Sequence, residues 1–458
     1  MRSILLTLLI VLPSLLMAQN SYTLEEAIDY AIENNANMKM AMMDVDRAEA
    51  SLAEFKSAGL PQVNASVDYN YYFFTPVNPI QDFLTPAIYG VLLEEFPNQV
   101  TPPPGEPDIL EFTFFNKHNL SANVNGSMLL FDGSYLTGLK AAKLFRELTR
   151  KKIDTAEEQV RTQVTKAYMN ILIAEENENI LSKNLKNIDA SLTQAQAFYE
   201  TGFMESLDVD RVALSKKTVE TELEKIKAFI DVTYDLLKFQ MNYPLSQDLS
   251  ISEDLESLVS LISAEVDTDY ADIDYNRKAQ YEEIRMGRQL NELNVERFEK
   301  GYLPSVMARA GVTEQLQRNN LFDSNEAGWL PTVFAGLSVN VPITDGKRKK
   351  SLIQQAEIDL KKIDVQLAEF ERGMDMQVQN SLNNFETARK TLLNRKESLD
   401  IVQRIYDKTL IKFKEGVGSS LEVTQAENQL FSAQGQYTTA LYELLTTKTD
   451  LDIALGKL

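Results

Sequence analysis

Apolar and polar positions along this chain repeat with two different periods. Four short segments alternate. In Gln62–Tyr71 the apolar set is Val63, Ala65, Val67, Tyr69 and Tyr71, and in 119–130 it is Leu120, Ala122, Val124, Met128 and Leu130. Segment 305–313 carries Val306, Ala308, Ala310 and Val312 on one face, and 333–341 carries Val333, Ala335, Leu337, Val339 and Val341. A period of two over ~10 residues predicts β-strands with one apolar and one polar face, as in a membrane barrel. Aromatic residues gather at the strand ends: Tyr71, Tyr72, Phe73 and Phe74 after the first, Phe112, Phe114 and Phe115 before the second. Interfacial girdles have this composition. A soluble sandwich with one wet face is the alternative reading.

Two long tracts, 134–242 and 347–456, are nearly free of proline and glycine and rich in helix formers. In the second, Ile353, Leu360, Leu367 and Met374 recur every seven residues. After Gly373 the frame slips by one and continues through Val378, Phe385, Leu392, Leu399, Tyr406 and Phe413. That period predicts coiled-coil packing against neighbouring helices. Helices of ~65 residues would be ~100 Å long, so an elongated molecule is expected.

Composition narrows the chemistry. With 46 Lys and Arg against 67 Asp and Glu, the net charge of −21 argues against nucleic acid as a partner. There is no cysteine, and His118 is the single histidine. Disulfides, thiolate metal sites and multi-histidine metal sites are excluded, and a Ser-His-Asp triad is disfavoured. No catalytic residue, metal or cofactor is expected. Residues 1–18 read as a secretory signal: Arg2, an apolar run over 4–16, then Met17-Ala18 at the cut. That run is shorter than the ~20 residues of a membrane span, and no later stretch reaches that length. Membrane insertion would therefore require a β-barrel.

The chain reads as two copies of one unit: helix, strand, loop, strand, long helix, bend, helix. Leu60-Pro61 and Leu303-Pro304 each open a strand, and Asp132-Gly133 and Asp345-Gly346 each open a long helix. Residues 201–209 align with 415–423 at a constant offset of 214. The first copy is expected over 19–243 and the second over 276–458, with 244–275 as linker. The Pro-rich segment 75–117 is expected as a long, irregular extracellular loop. Four strands per chain cannot close a membrane barrel, which needs about 8 or more, so oligomerisation is expected.

These residues together resemble the TolC-like outer-membrane efflux proteins. The carriers are Leu24-Glu25-Glu26-Ala27-Ile28 with Glu33-Asn34-Asn35, the Leu-Pro and Asp-Gly junctions, and two Gly-x-x-x-Ser-Leu-acid-Val bends. The resemblance implies an α+β membrane protein, a long α-helical coiled-coil barrel plus a transmembrane β-barrel completed by oligomerisation as a homotrimer in outer-membrane lipid. It implies a conduit across outer membrane and periplasm, fed by a periplasmic adaptor and, through it, an inner-membrane pump. Residue by residue, Glu422 matches the acidic ring of the periplasmic entrance. Gln425 matches that ring's second acid, here uncharged, and Asp208 matches an acceptor of links between helix pairs. Thr201, Gly202, Phe203 and Glu415, Gly416, Val417 match the bends where adaptor hairpins dock. Three further positions depart from the family: Ala36 replaces a frequent proline, Phe413 a tyrosine and Gly418 an arginine of some members. Read without the family, Asp208 and Glu422 are first-turn acids favoured by the helix dipole.

Other features are bland. His118 reads as a surface residue, Trp329 as an interface anchor, and Lys347, Arg348, Lys349 and Lys350 as charges at a lipid boundary. A coiled-coil scaffold would not need the alternating strands, and no convergent site supports a carbohydrate-active enzyme. An efflux or secretion conduit is the expected function.

Overall fold

The computed structural model describes residues 21–97, 99–101, 109–112, 116–255, 258–259, 274–323, 325–326 and 328–457. The expected signal segment 1–18, Phe114 and Phe115 lie outside these. The chain forms two compact units. Among the described residues no helix is long and apolar enough to cross a membrane.

The first unit comprises 50–143 and 292–357 and is built on one antiparallel sheet. We number elements in chain order. Strands β2 (Gln62–Tyr71), β5 (His118–Phe131), β7 (Ser305–Arg318) and β8 (Leu330–Asn340) are hydrogen-bonded in the order β2-β5-β7-β8. Pairing preserves the alternation across strands. Ala65, Val124, Val312 and Val333 form one row, and Ser66, Asn123, Thr313 and Thr332 the adjacent row on the opposite face. A one-residue slip would mix the two sets, so the sequence pattern itself disfavours other registers. Phe334 departs from the pattern. It stands on the polar face against Gly311, where any Cβ would collide with its ring and with Asn125 Oδ1. Strands β2 and β8 each leave one edge without a partner among the described residues.

Both Asp-Gly junctions cap the helix that follows. Asp132 Oδ1 accepts from the Tyr135 amide at 2.9 Å at the start of α4 (Gly133–Glu200). Asp345 Oδ2 accepts from the Lys349 amide at 3.0 Å at the start of α7 (Arg348–Lys414). Each carboxylate satisfies a backbone donor that the first helical turn leaves open. The basic run has a protein partner as well as its solvent-facing members: the Lys349 ammonium lies 5.2 Å from the Tyr302 ring centre. His118 is half-buried rather than free on the surface. Its Nδ1 is 2.8 Å from the Tyr69 hydroxyl, and Tyr71 lies at its other side.

Segment 75–117 corrects an expectation. It is ordered over its described part, with β3 (Asn78–Gln81) pairing antiparallel to β4 (Ile109–Phe112) around α3 (Leu84–Glu95). Pro79 is tolerated because a two-stranded ribbon leaves one N–H per residue pair unused. Asp82 starts α3 by accepting from the Leu84 and Thr85 amides at 3.0 and 2.9 Å.

The second unit comprises residues up to 49, 144–291 and 358 onward, and is helical. Here α1 (Leu24–Asn34) and α2 (Ala36–Ser57) are separated at Asn35, α5 spans Ser206–Met241, α6 Ala279–Lys300 and α8 Ser420–Ala454. The opening motif has a local cause. Thr23 and Glu26 form a reciprocal capping box, and Ala27, Ile28 and Ala31 are buried. Asn35 is the next cap: its Oδ1 accepts from the Asn37 amide at 2.7 Å and its Nδ2 donates to Gln240 O at 2.6 Å. Ala36 is therefore the first helical residue, the position where proline costs least. The main core joins Ala27, Ala31, Val160, Val164, Ile171, Leu237, Met241 and Leu445 around Tyr168. Tyr168 donates to Tyr22 O at 3.0 Å, fastening β1 (Ser21–Tyr22), which pairs in parallel with β6 (Ser250–Ile251) inside the expected linker. Along α7 the expected seam is inward: Val378, Phe385, Tyr406 and Phe413 are buried, Leu392 and Leu399 half-buried.

Candidate functional site

The two bends of the helical unit share one backbone solution. Helix α4 ends at Glu200, Gly202 takes φ +77°, and the Phe203 and Gly202 amides donate to Phe198 O (2.8 Å) and Tyr199 O (3.0 Å). Helix α7 ends at Lys414, Gly416 takes φ +74°, and the Val417 and Gly416 amides donate to Lys412 O and Phe413 O, both at 3.0 Å. This is the Schellman arrangement, whose left-handed residue is most often glycine because it has no Cβ to crowd its own backbone. The bends present apolar tips, with Phe203 86% and Val417 79% exposed. Thr201 turns back to its own helix, its hydroxyl donating to Ala197 O at 2.9 Å, and Glu415 is exposed.

Beyond the bends the acids differ. Asp208, in the first turn of α5, accepts from the Ser420 hydroxyl at the start of α8 and pairs with Arg211 Nη1 at 3.3 Å. Glu422, in the first turn of α8, is exposed. Its amide receives the Ser419 cap at 3.2 Å, while its carboxylate has no hydrogen bond or ion pair among the described residues. Gln425 is exposed one turn later. Asp208 and Ser420 are thus brought together, whereas Glu422 and Gln425 are left facing solvent in the single chain.

The two departures near the bend have steric and packing reasons. Phe413 is 1% exposed and sits in a cluster with Ile188, Ala195, Val212 and Val423, edge-on to Phe198. A hydroxyl there would need a buried partner. A Cβ on Gly418 would come within 3.0 Å of Phe413 N and 3.2 Å of Lys412 C, so a larger residue requires a different turn.

Sequence reasoning missed Ser420 and Glu427. Glu427 on α8 is only 2% exposed, and Ser215 of α5 donates to its Oε2 at 3.1 Å. Its signal was available: Ser215 lies seven residues after Asp208, and Glu427 seven after Ser420. Among the described residues no group of three or more His, Cys, Asp or Glu is placed to hold a metal ion.

Comparison with known proteins decides the family. The model of the outer membrane efflux proteins matches residues 27–228 and 283–457. The chain belongs to that family. It is 21% identical to the outer membrane efflux protein BepC of Brucella suis over 439 residues, 96% of this chain and 86% of that protein. It is 21% identical to the outer membrane protein TolC of Vibrio cholerae over 452 residues, 98% and 93% respectively. The solved structure of CusC aligns with a TM-score of 0.71 at 15% identity, covering 95% of this chain and 92% of that one. As an outer membrane efflux protein, the chain is a TolC-like transport protein of the outer membrane, in a family of channels rather than enzymes.

Proposed function

We propose that this chain is one subunit of a homotrimeric channel-tunnel that conducts substrates from a periplasmic adaptor, loaded by an inner-membrane pump, to the cell exterior. The observation that carries this reading is the sheet. Its four strands hold an apolar row against a polar row in register, and both its edges, β2 and β8, are open. In hydrocarbon an open edge leaves backbone groups without partners, at several kcal/mol each. Pairing β2 of one copy with β8 of the next removes every edge at once and gives twelve strands in a trimer.

The duplicated plan supports the same reading. A long helix of 68 residues followed by one of 36 in the first copy matches 67 and 35 in the second. Six such hairpins in a trimer make a pseudo-sixfold wall. The apolar tips at Phe203 and Val417 suit docking of adaptor hairpins, and Glu422, with Gln425, is assigned to the inner face of the entrance. Asp208 is assigned to the link that holds neighbouring helix pairs together, with Ser420 as its donor. Efflux of small molecules and secretion of polypeptides both use such a conduit, and the family name favours efflux.

Native mass spectrometry of the detergent-extracted protein tests the assembly, with a trimer expected. The native chain has no cysteine, so Val67→Cys combined with Val333→Cys offers a clean cross-link between β2 and β8. Disulfide-linked trimers are the expected product. A monomer that keeps its β-signal and never cross-links between copies rules out the channel.

A further inference from the structure

The α5–α8 seam carries two serine–carboxylate bonds of opposite sense, one heptad apart. At the lower rung the acid is on α5 and the serine on α8, Ser420 donating to Asp208. At the upper rung the acid is on α8 and the serine on α5, Ser215 donating to Glu427 at 3.1 Å. Both partners are separated by 212 residues, and both steps along the helices are seven residues, from 208 to 215 and from 420 to 427. The rungs sit on one face of each helix, and the helices pack against one another.

Their environments are opposite. The Asp208 side chain is 28% exposed and has Arg211 beside it. Glu427 is 2% exposed and has no cation on it among the described residues. Among the described residues its Oε1 is buried without a hydrogen-bond partner, and Thr424 Oγ1, one turn earlier on α8, is buried and unpartnered too. The titratable group facing it from α7 is Tyr406, itself buried and pushed up to about 12, first by burial and then by Glu427 and Asp407. On α5 the cations next to Ser215 are engaged elsewhere, Lys216 with Asp189 and Lys217 with Glu220. Burial pushes the Glu427 carboxyl up to about 6, against the lowering effect of the Ser215 hydrogen bond.

We propose that Glu427 is a proton-operated fastener of the α5–α8 seam: protonated, it closes the seam above the bends, and ionised, it loosens it. A buried carboxylate with one unserved oxygen is costly, and water entering between the helices is the available relief. A neutral carboxyl removes that demand. The lower rung has the Arg211 guanidinium beside its acid and the upper rung has no cation among the described residues, so the seam pairs a cation-supported bond with one that a proton controls. As a statement about the entrance this rests on the channel reading above; as a statement about the seam it does not.

The test uses the full-length detergent-extracted protein between pH 4.5 and 8. Hydrogen exchange of peptides covering 206–220 and 420–430 is measured and corrected for the intrinsic pH dependence of exchange. In the wild type, protection is expected to fall through a midpoint near pH 6, by up to about 30-fold, the ratio set by a shift of ~1.5 pKa units. Glu427→Gln, which is neutral at every pH, is expected to stay protected and lose the transition. Ser215→Ala removes the only donor to the carboxylate among the described residues, and its midpoint is expected to move to higher pH. Protection that does not change with pH in the wild type, or an unchanged transition in Glu427→Gln, overturns the proposal. Planar-bilayer conductance is recorded on the same samples, with lower conductance expected below the midpoint in the wild type only. A protein that conducts at no pH removes the channel reading, while the exchange result still decides the role of Glu427.

Discussion

The two bends have the same backbone and different chemistry. Gly202 and Gly416 adopt φ +77° and +74° and close the same pair of hydrogen bonds, yet the helices that follow begin differently. At the second bend Ser419 caps α8 with its hydroxyl; at the first, Glu205 occupies the cap of α5 without a side-chain bond. At the first bend the following acid is taken up by Ser420 and Arg211; at the second it is left open. Backbone turns are set locally by glycine, but what an acid does depends on what the other hairpin places opposite it. One copy thus uses its acid to hold the hairpins together, and the other is left with a charge to present.

Glu427 sharpens that comparison most. Its carboxyl titrates higher in the folded protein than its ordinary value of 4.5, so the folded state binds the extra proton. Stability should then be greatest below the unfolded value and fall as pH rises through about 4.5 to about 6, by about 2 kcal/mol per subunit. Denaturant midpoints across this range should show the decline in the wild type and a flatter profile in Glu427→Gln. A decline of equal size in both would assign it to other groups.

Next come the glycines. Gly202→Ala and Gly416→Ala each force an L-residue into the left-handed region, at about 1–2 kcal/mol apiece. Equal losses are expected, because the two turns are alike. If one variant unfolds readily and the other does not, the bends differ in backbone as well as in chemistry.

The caps predict an asymmetry of about 1 kcal/mol. Ser419→Ala should destabilise the second hairpin by that amount. Glu205→Ser should stabilise the first, since it supplies a cap that α5 lacks. Thermal unfolding of the two single variants and their combination measures both signs, and a loss in Glu205→Ser would mean that Glu205 is held by something other than the helix start.

Glu422 gives the smallest stability change and a distinctive electrical one. As a first-turn acid its replacement by Gln costs within ~1 kcal/mol through the helix dipole. If three copies line the entrance, Glu422→Gln should also lower the preference for cations over anions in planar bilayers, by the logic of acidic rings in cation channels. Asp208→Asn, with its acid already engaged by Ser420 and Arg211, should change that preference much less. Unchanged ion selectivity in a folded Glu422→Gln trimer would reduce Glu422 to a helix-start acid.

Much of this was legible because the signals are local and repeated. Alternation over ten residues marks a strand at Gln62–Tyr71 whatever it later pairs with, and a glycine followed by Ser-Leu-acid marks a bend twice. The Pro-rich segment 75–117 was less legible. Its ribbon is held by pairing between Asn78–Gln81 and Ile109–Phe112, about thirty residues apart, both strands are only four residues long, and Pro79 obscures the first. Phe413 and Gly418 looked like missing pieces of a link. The structure explains each by what surrounds it, a buried cluster in one case and a turn without room for Cβ in the other.

The type of the long helices and of the four sheet strands, the bends between the helices and membership of the efflux family follow from this sequence alone, because periodicity, caps and glycines act within a few residues. The partner of each charge does not. Asp208 and Glu422 read alike in sequence, each an acid six residues after a left-handed glycine, and only folding sets Ser420 against one and solvent against the other. Glu427 drew no reading from the sequence, on a helix rich in polar residues. Its burial depends on where α5 passes α8, and that is fixed by packing between segments some two hundred residues apart.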